Sequence, residues 1–372
     1  MKLLRHASGS WFGRGFDHGR QQGNSLTVCF RRYHLKMSSQ RRVKAVGTRH
    51  FDGNSITRHG IQPLYVGMRL SSSMSRQEPA TVERFLRSDT LTSEEDKDLS
   101  KRQYPFENLV FEGGGTKGIA YAGVMKVLMD VGVWPNIKRF GGTSVGAMIA
   151  CMLAVDYSPN KVVEMMDKEL GPIAVDHSFG ILSLLPNLIR HYGWNPGKKL
   201  LDWFGDKLAE KTGNRDITFK QLYDQYGKEL CIVVCNVTQM NAEYCHVKTT
   251  PDMPIRLAVR MSMSIPGFYQ AVKSTLGANE SVYVDGGVLV NYPVHCYDGW
   301  WLSLNSDDSF LVRLQPLSHI HKMWNKKRRF GEFNEKTLGV LLCSESEPEV
   351  FEGLILGEND TKIPRPDTKL AR

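Results

Sequence analysis

Two stretches of this chain share one grammar: a short apolar run, a cluster of glycines, then small and apolar residues at helical spacing. The first is "ENLVFEGGGTKGIAYAGVMKVLMDVG" and the second is "IKRFGGTSVGAMIACMLAV". Each apolar run reads as a buried strand, because it is short and ends in a glycine turn. Tyr121, Val124, Met125 and Leu128 then share one helical face, with Gly132 placed to stop the helix. Strand, turn, helix, repeated in that order, calls for an α/β fold with a mainly parallel central sheet and helices packed on its faces.

Downstream, "ELCIVVCNVTQMNAEYCHV" reads as one buried strand followed by a second, with Cys231 and Cys235 on the same side of the first. "IRLAVRMSMS" reads as a helix stopped by Pro266, and "SVYVDGGVLVNYPV" as a late strand with a turn bearing Asp285. Ser178 to Trp194, "SFGILSLLPNLIRHYGW", is apolar with basic residues at one end. A helix over "ILSLL" would break before Pro186. It would serve as a lid or membrane contact, or else lie buried in the core.

The formal charge of +9 is unevenly spread. Residues 1–77 hold 14 Lys or Arg against Asp17 and Asp52, a net of +12, which leaves −3 on residues 78–372. The division expected is a basic arm over 1–103, a folded domain over 104–343 and a loose acidic tail over 344–372. The arm is rich in Arg and Ser and poor in acids, as mitochondrial transit peptides are. It reads equally as a solvated arm or an anionic-lipid contact. Arg5, Arg14 and Arg20 interrupt every candidate secretory h-region. No apolar run near the glycine motifs is long enough to cross a bilayer. Seven cysteines, odd in number and without a C-x-x-C, argue against a zinc knuckle or redox pair and for reduced thiols in an intracellular protein.

Three glycine-framed features could carry chemistry. In "GTSVG" the spacing G-x-S-x-G suits a nucleophilic Ser144 on a sharp strand-to-helix turn, where Gly142 and Gly146 avoid collisions with the adjoining elements. In "GGGTKG" the glycines Gly113, Gly114, Gly115 and Gly118 let bare amides approach a developing oxyanion. The same loop fits a dinucleotide fingerprint, but that reading needs an acid about 20 residues further on at a strand end. Asp130 lies nearer, inside the expected helix. In "DGG", Asp285 with Gly286 and Gly287 could place a carboxylate at a strand end, or make an ordinary Asp-Gly turn. His177, His191, His246 and His295 have no context that singles them out.

In this order the three features resemble the patatin-like phospholipase family, and "AVRMSMSIPGFYQ" is similar to that family's segment before its aspartate. The resemblance covers about residues 106–343, and some wording is similar to the branch containing secreted bacterial phospholipase effectors. It implies a three-layer α/β hydrolase with a serine–aspartate dyad: Ser144 as nucleophile, Asp285 as general base, and Gly113, Gly114 and Gly115 as oxyanion donors. Lys117 matches a basic family position that could steady the loop or meet a lipid phosphate. Glu112 departs from the more usual Asp. The implied partner is a phospholipid or other acyl lipid at a membrane surface, with no metal, no organic cofactor and no nucleic acid. A protein activator stays open. The rival readings are an inactive lipid-binding module of the same fold and a nucleotide-binding oxidoreductase.

Overall fold

The computed structural model describes residues 24–30, 34–38, 42–43, 66–70, 103–177, 183–274, 280–315 and 325–344. Most of the basic arm over 1–103, with its targeting role, and the acidic tail beyond 344 lie outside these. Four short strands belong to the arm: β1 (Asn24–Phe30), β2 (His34–Ser38), β3 (Arg42–Val43) and β4 (Val66–Leu70). The sequence reading expected no regular elements there. "NSLTVCF" alternates in the manner of a strand, and it pairs antiparallel with the last strand of the sheet, covering what would be an open edge.

The centre of the sheet is parallel. β5 (Asn108–Phe111), β6 (Arg139–Thr143) and β8 (Glu229–Asn236) lie side by side, and β13 (Thr337–Ser344) flanks β5. A hairpin returns β8 into β9 (Asn241–Cys245). β12 (Ser281–Asp285) adds antiparallel to β8, followed by β11 (Val272–Ser274). A separate parallel pair joins β7 (Gly193–Asn195) to β10 (Gly267–Tyr269).

Strand alternation sorts the core onto two faces. Leu109, Phe111, Ile232 and Val234 pack into the larger core with the helices, whereas Val110, Cys231 and Val233 pack on the opposite face with Tyr244, Tyr297 and Phe330. Buried on both faces, β8 is the continuous apolar run that a central parallel strand requires. The helical layer contains α1 (Tyr121–Asp130) and α2 (Val145–Ala154), with α2 buried at every residue. The layer over the other face is mostly irregular chain with short turns. Cys151, Cys231, Cys235, Cys245 and Cys296 are all buried free thiols.

Five further helices of eight or more residues are α3 (Pro159–Lys168), α4 (Leu184–His191), α5 (Lys198–Thr212), α6 (Phe219–Tyr226) and α7 (Ile255–Ser262), and single helical turns lie at Leu170–Ile173, Phe310–Arg313 and Lys326–Arg329. Two boundaries differ from expectation. α7 ends at Ser262, before Pro266, and the hydroxyl of Ser264 donates back to the Arg260 carbonyl at 2.8 Å, a bond typical of serines that compete with helical pairing. α4 begins before Pro186 instead of ending there. A proline is tolerated in a first turn because its missing N–H would have had no helical partner.

Candidate active site

Ser144 stands at the joint between β6 and α2 with φ 55° and ψ −128°. Such a backbone costs about 1–3 kcal/mol for a residue other than glycine and persists where its surroundings hold it. The glycines on either side make the joint sterically feasible. A Cβ on Gly142 would run into the backbone of Gly146, and one on Gly146 would lie 2.6 Å from the carbonyl oxygens of both Phe111 and Glu112. The neighbouring chain also holds the serine: its N–H donates to Ser262 Oγ at 2.9 Å, and that hydroxyl donates to the Val233 carbonyl at 2.6 Å.

The register of β8 brings Asp285 to the same place. Thr143 pairs with Val233 on one side of β8, and Asp285 pairs with Val234 on the other. Two strand spacings separate those backbones, about 10 Å, and the side chains close the gap across the end of β8. Ser144 Oγ donates to Asp285 Oδ2 at 2.6 Å. The other carboxylate oxygen accepts from the Gly287 N–H at 2.7 Å, and the Asp285 N–H donates to the Ser264 carbonyl at 2.9 Å. Ser144 and Asp285 are only 6% and 5% exposed. Burial pushes the Asp285 carboxyl up to about 6, against the opposing hydrogen bonds from Ser144 and the Gly287 amide. A carboxylate tuned this way is ionised at neutral pH yet more basic than an exposed aspartate.

The first glycine loop lies against the serine, since a Cβ on Gly113 would be 3.1 Å from Ser144 Cβ. Its amides are not equivalent, and the expectation of three oxyanion donors is corrected at Gly113. That N–H donates to the Asn291 carbonyl at 3.0 Å, so it continues the backbone pairing of β5 instead of facing the site. The amides of Gly114 and Gly115 are the remaining candidates. Gly115 has φ +53°, and a Cβ on Gly114 would strike Leu342 of β13. Gly118 packs beneath the start of α2, where a Cβ would lie 2.7 Å from Val145 Cγ2. Lys117 is exposed, and its backbone N–H closes a turn onto the Gly114 carbonyl at 3.1 Å. In the aspartate turn, a Cβ on Gly286 would lie 3.0 Å from Thr143 Cγ2, and one on Gly287 would lie 2.8 Å from Asn291 Oδ1.

Several residues that shape the site carried little signal in the sequence. Asn291 Nδ2 donates at 3.0 Å to the Gly113 carbonyl and at 3.0 Å to Glu112 Oε1, tying the aspartate turn to the glycine loop. Glu112 also accepts from the Leu342 N–H at 2.7 Å, so its side chain anchors the loop to β13. Nothing in "VNYP" marks Asn291 beforehand. Ser262 lies in "AVRMSMSIPGFYQ", the segment already quoted for its family likeness, but its bond to Ser144 depends on the placement of α7.

The four histidines named above are engaged elsewhere or stand at the surface. His246 is buried with Nε2 3.1 Å from Glu229 Oε2, His295 meets the Tyr244 hydroxyl at 2.8 Å, and His177 stacks on Trp194. His191 is exposed in the last turn of α4. Asp130 ion-pairs with Lys126 within α1, at 3.5 Å, so it is not the strand-end acid that a dinucleotide site needs. Among the described residues no group of three or more His, Cys, Asp or Glu is placed to hold a metal.

α4 answers the question left open about Ser178–Trp194. Leu185 is 66% exposed and Ile189 is 69% exposed, and none of the helix is buried, which excludes a core helix. Ile181 and Leu182 lie outside the described residues. The helix is fastened to the segment before the aspartate, where the Gly267 N–H donates to the Tyr192 carbonyl at 3.2 Å and β7 pairs with β10. Ile265, Val288 and Leu289, which flank Asp285 along the folded chain, are exposed as well.

The sequence profile described as patatin-like phospholipase matches residues 109–296. An uncharacterized protein of Bacillus subtilis, YqhO, is 31% identical over 195 residues, covering 50% of this chain and 64% of that one. Triacylglycerol lipase 4 of Saccharomyces cerevisiae is 26% identical over 206 residues, covering 50% of this chain and 22% of its own. Among solved structures, VipD from Legionella pneumophila is similar with a TM-score of 0.38 and 20% identity, over 51% of this chain and 47% of that one. The chain thus spans less than two thirds of the length of these relatives. The matched span runs from β5 through the aspartate turn, and on that match over half the sequence, the chain belongs to the patatin-like phospholipase family.

Proposed function

We propose that the protein is a lipid acyl hydrolase in which Ser144 and Asp285 form a two-residue catalytic unit. The observation that carries this is the 2.6 Å hydrogen bond between Ser144 Oγ and Asp285 Oδ2. Asp285 takes the hydroxyl proton as Ser144 Oγ attacks the acyl carbonyl, and the developing oxyanion faces the amides of Gly114 and Gly115. Collapse of the tetrahedral intermediate breaks the ester bond, and Asp285 returns the proton to the leaving alcohol. Water, deprotonated by Asp285, then attacks the acyl-enzyme, releasing the fatty acid and restoring the serine.

Membership of the family supports a lipid ester substrate, and one relative carries the name triacylglycerol lipase. Within that class we favour phospholipids, cleaved at a carboxylic ester. The exposed apolar residues of α4 provide a means of meeting a bilayer. A fluorophosphonate probe tests the nucleophile. Covalent labelling of the wild type and its loss in Ser144→Ala are expected; equal labelling of both, or none of the wild type, contradicts the assignment.

A further inference from the structure

A cavity of about 620 Å³ opens beside the β8–β9 hairpin, lined by Asn241, Tyr244, Leu289, Lys326 and Arg329 among others, with no acid among the described residues that line it. Two of its groups are left in a costly state. Arg329 is 9% exposed, and its Nε is buried without a hydrogen-bond partner. Its guanidinium packs over the rings of Trp301 and Phe330, at 4.7 and 5.3 Å, and meets no carboxylate among the described residues. Asn241 Oδ1 is likewise buried and unpartnered. A buried donor or acceptor without a partner costs about 1–3 kcal/mol, more when charged. Burial and the neighbouring Arg329 charge also lower the Lys326 pKa. Two adjacent cations with no acid beside them among the described residues, next to an unpartnered acceptor, suit an anion that also carries a proton to donate.

The rim indicates how that anion arrives. Met240 is 85% exposed, and Leu289, Val288 and Val237 are also exposed at the same end of the sheet. Leu289 and Val290 line the cavity and directly follow the aspartate turn, and the Val290 carbonyl accepts from Thr143 Oγ1 at 2.9 Å, one residue before Ser144. We propose that this cavity binds the phosphomonoester head group of a membrane lipid, with Arg329 and Lys326 on the phosphate oxygens, Asn241 Oδ1 accepting a P–OH or alcohol proton, and the apolar rim against the acyl region. A phosphomonoester carries about −1.5 to −2 charges near neutrality, which matches two cations. The proposal rests on the lipid-hydrolase reading only in taking a lipid as the ligand's source.

The test uses the full-length Ser144→Ala protein, so that binding is read without hydrolysis. Ligands that bind only the folded state raise its melting temperature. Dibutyryl phosphatidic acid is expected to raise Tm, glycerol 3-phosphate to raise it less, and dibutyrylglycerol to leave it unchanged. Adding Lys326→Met or Arg329→Met should weaken the apparent affinity for the phosphatidic acid about tenfold. Lys327→Met and Arg328→Met, on the same helical turn but outside the cavity, should not change it. Lys326 is exposed, so its variant reports even if the Arg329 variant fails to fold. No shift with the phosphatidic acid overturns the proposal, as does an equal shift with glycerol 3-phosphate, which would make the ligand a soluble phosphoester. Equal loss in the Lys327 and Arg328 variants overturns it in favour of diffuse surface charge. None of these outcomes bears on the fluorophosphonate result.

Discussion

In the folded protein the Asp285 carboxyl keeps its proton up to about 6, whereas its ordinary value is 3.8. Between those values the folded state holds more protons than the unfolded one, so stability falls as pH rises through that window. At neutral pH the buried charge costs on the order of 3 kcal/mol. Asp285→Asn should therefore raise the melting temperature at neutral pH while abolishing turnover, which thermal melts and an ester assay would check together. A melting temperature unchanged or lowered would contradict the desolvation argument. The same group sets a pH limb: kcat/KM on a soluble ester should fall about tenfold per pH unit below about 6. A profile flat down to pH 4.5 would assign the base elsewhere. Ser262 accepts the Ser144 N–H, and on the proposed mechanism it would position the nucleophile. Ser262→Ala should lower kcat roughly tenfold, the effect of about one lost hydrogen bond, with KM little changed.

At the scale of elements, the elbow is the least tolerant feature. Adding one methyl at Gly146 would place it 2.6 Å from two backbone carbonyl oxygens, neither of which can rotate away. Gly146→Ala should lose about 1–3 kcal/mol and most of the activity, whereas Gly132→Ala, where a Cβ meets nothing, tests only the strain of its φ of +74°. Denaturant melts distinguish the two. Both strand-turn-helix units were legible because burial imposes a period on the residues: α1 and β8 fall where their apolar patterns place them. The proline in α4 and the early end of α7 were not. Those boundaries depend on first-turn geometry and on where Ser264 finds a hydrogen bond, and neither leaves a periodic trace. Similarly, the glycine loop could be recognised from composition, but not which of its amides is used up in pairing with Asn291.

Across the whole molecule, residues 141 positions apart meet because β8 is a common neighbour of β6 and β12. Sequence motifs identified both partners, and only the sheet register shows the contact. The exposed face of α4, linked to the aspartate segment through β7 and β10 and carrying Arg190 and His191 at the helix end, is the side we propose for contact with a lipid surface. Leu185→Asp with Ile189→Asp should reduce hydrolysis of vesicle lipids at least tenfold while sparing a soluble ester, because apolar insertion contributes only at an interface. Equal loss on both substrates would mean that α4 supports the fold alone. The most direct measurement of the central claim is fatty-acid release from phosphatidylcholine vesicles by the wild type, Ser144→Ala and Asp285→Asn, each shown to be folded by circular dichroism. The account predicts release by the wild type and none above background from either variant. Undiminished release by a folded Asp285→Asn protein would contradict it.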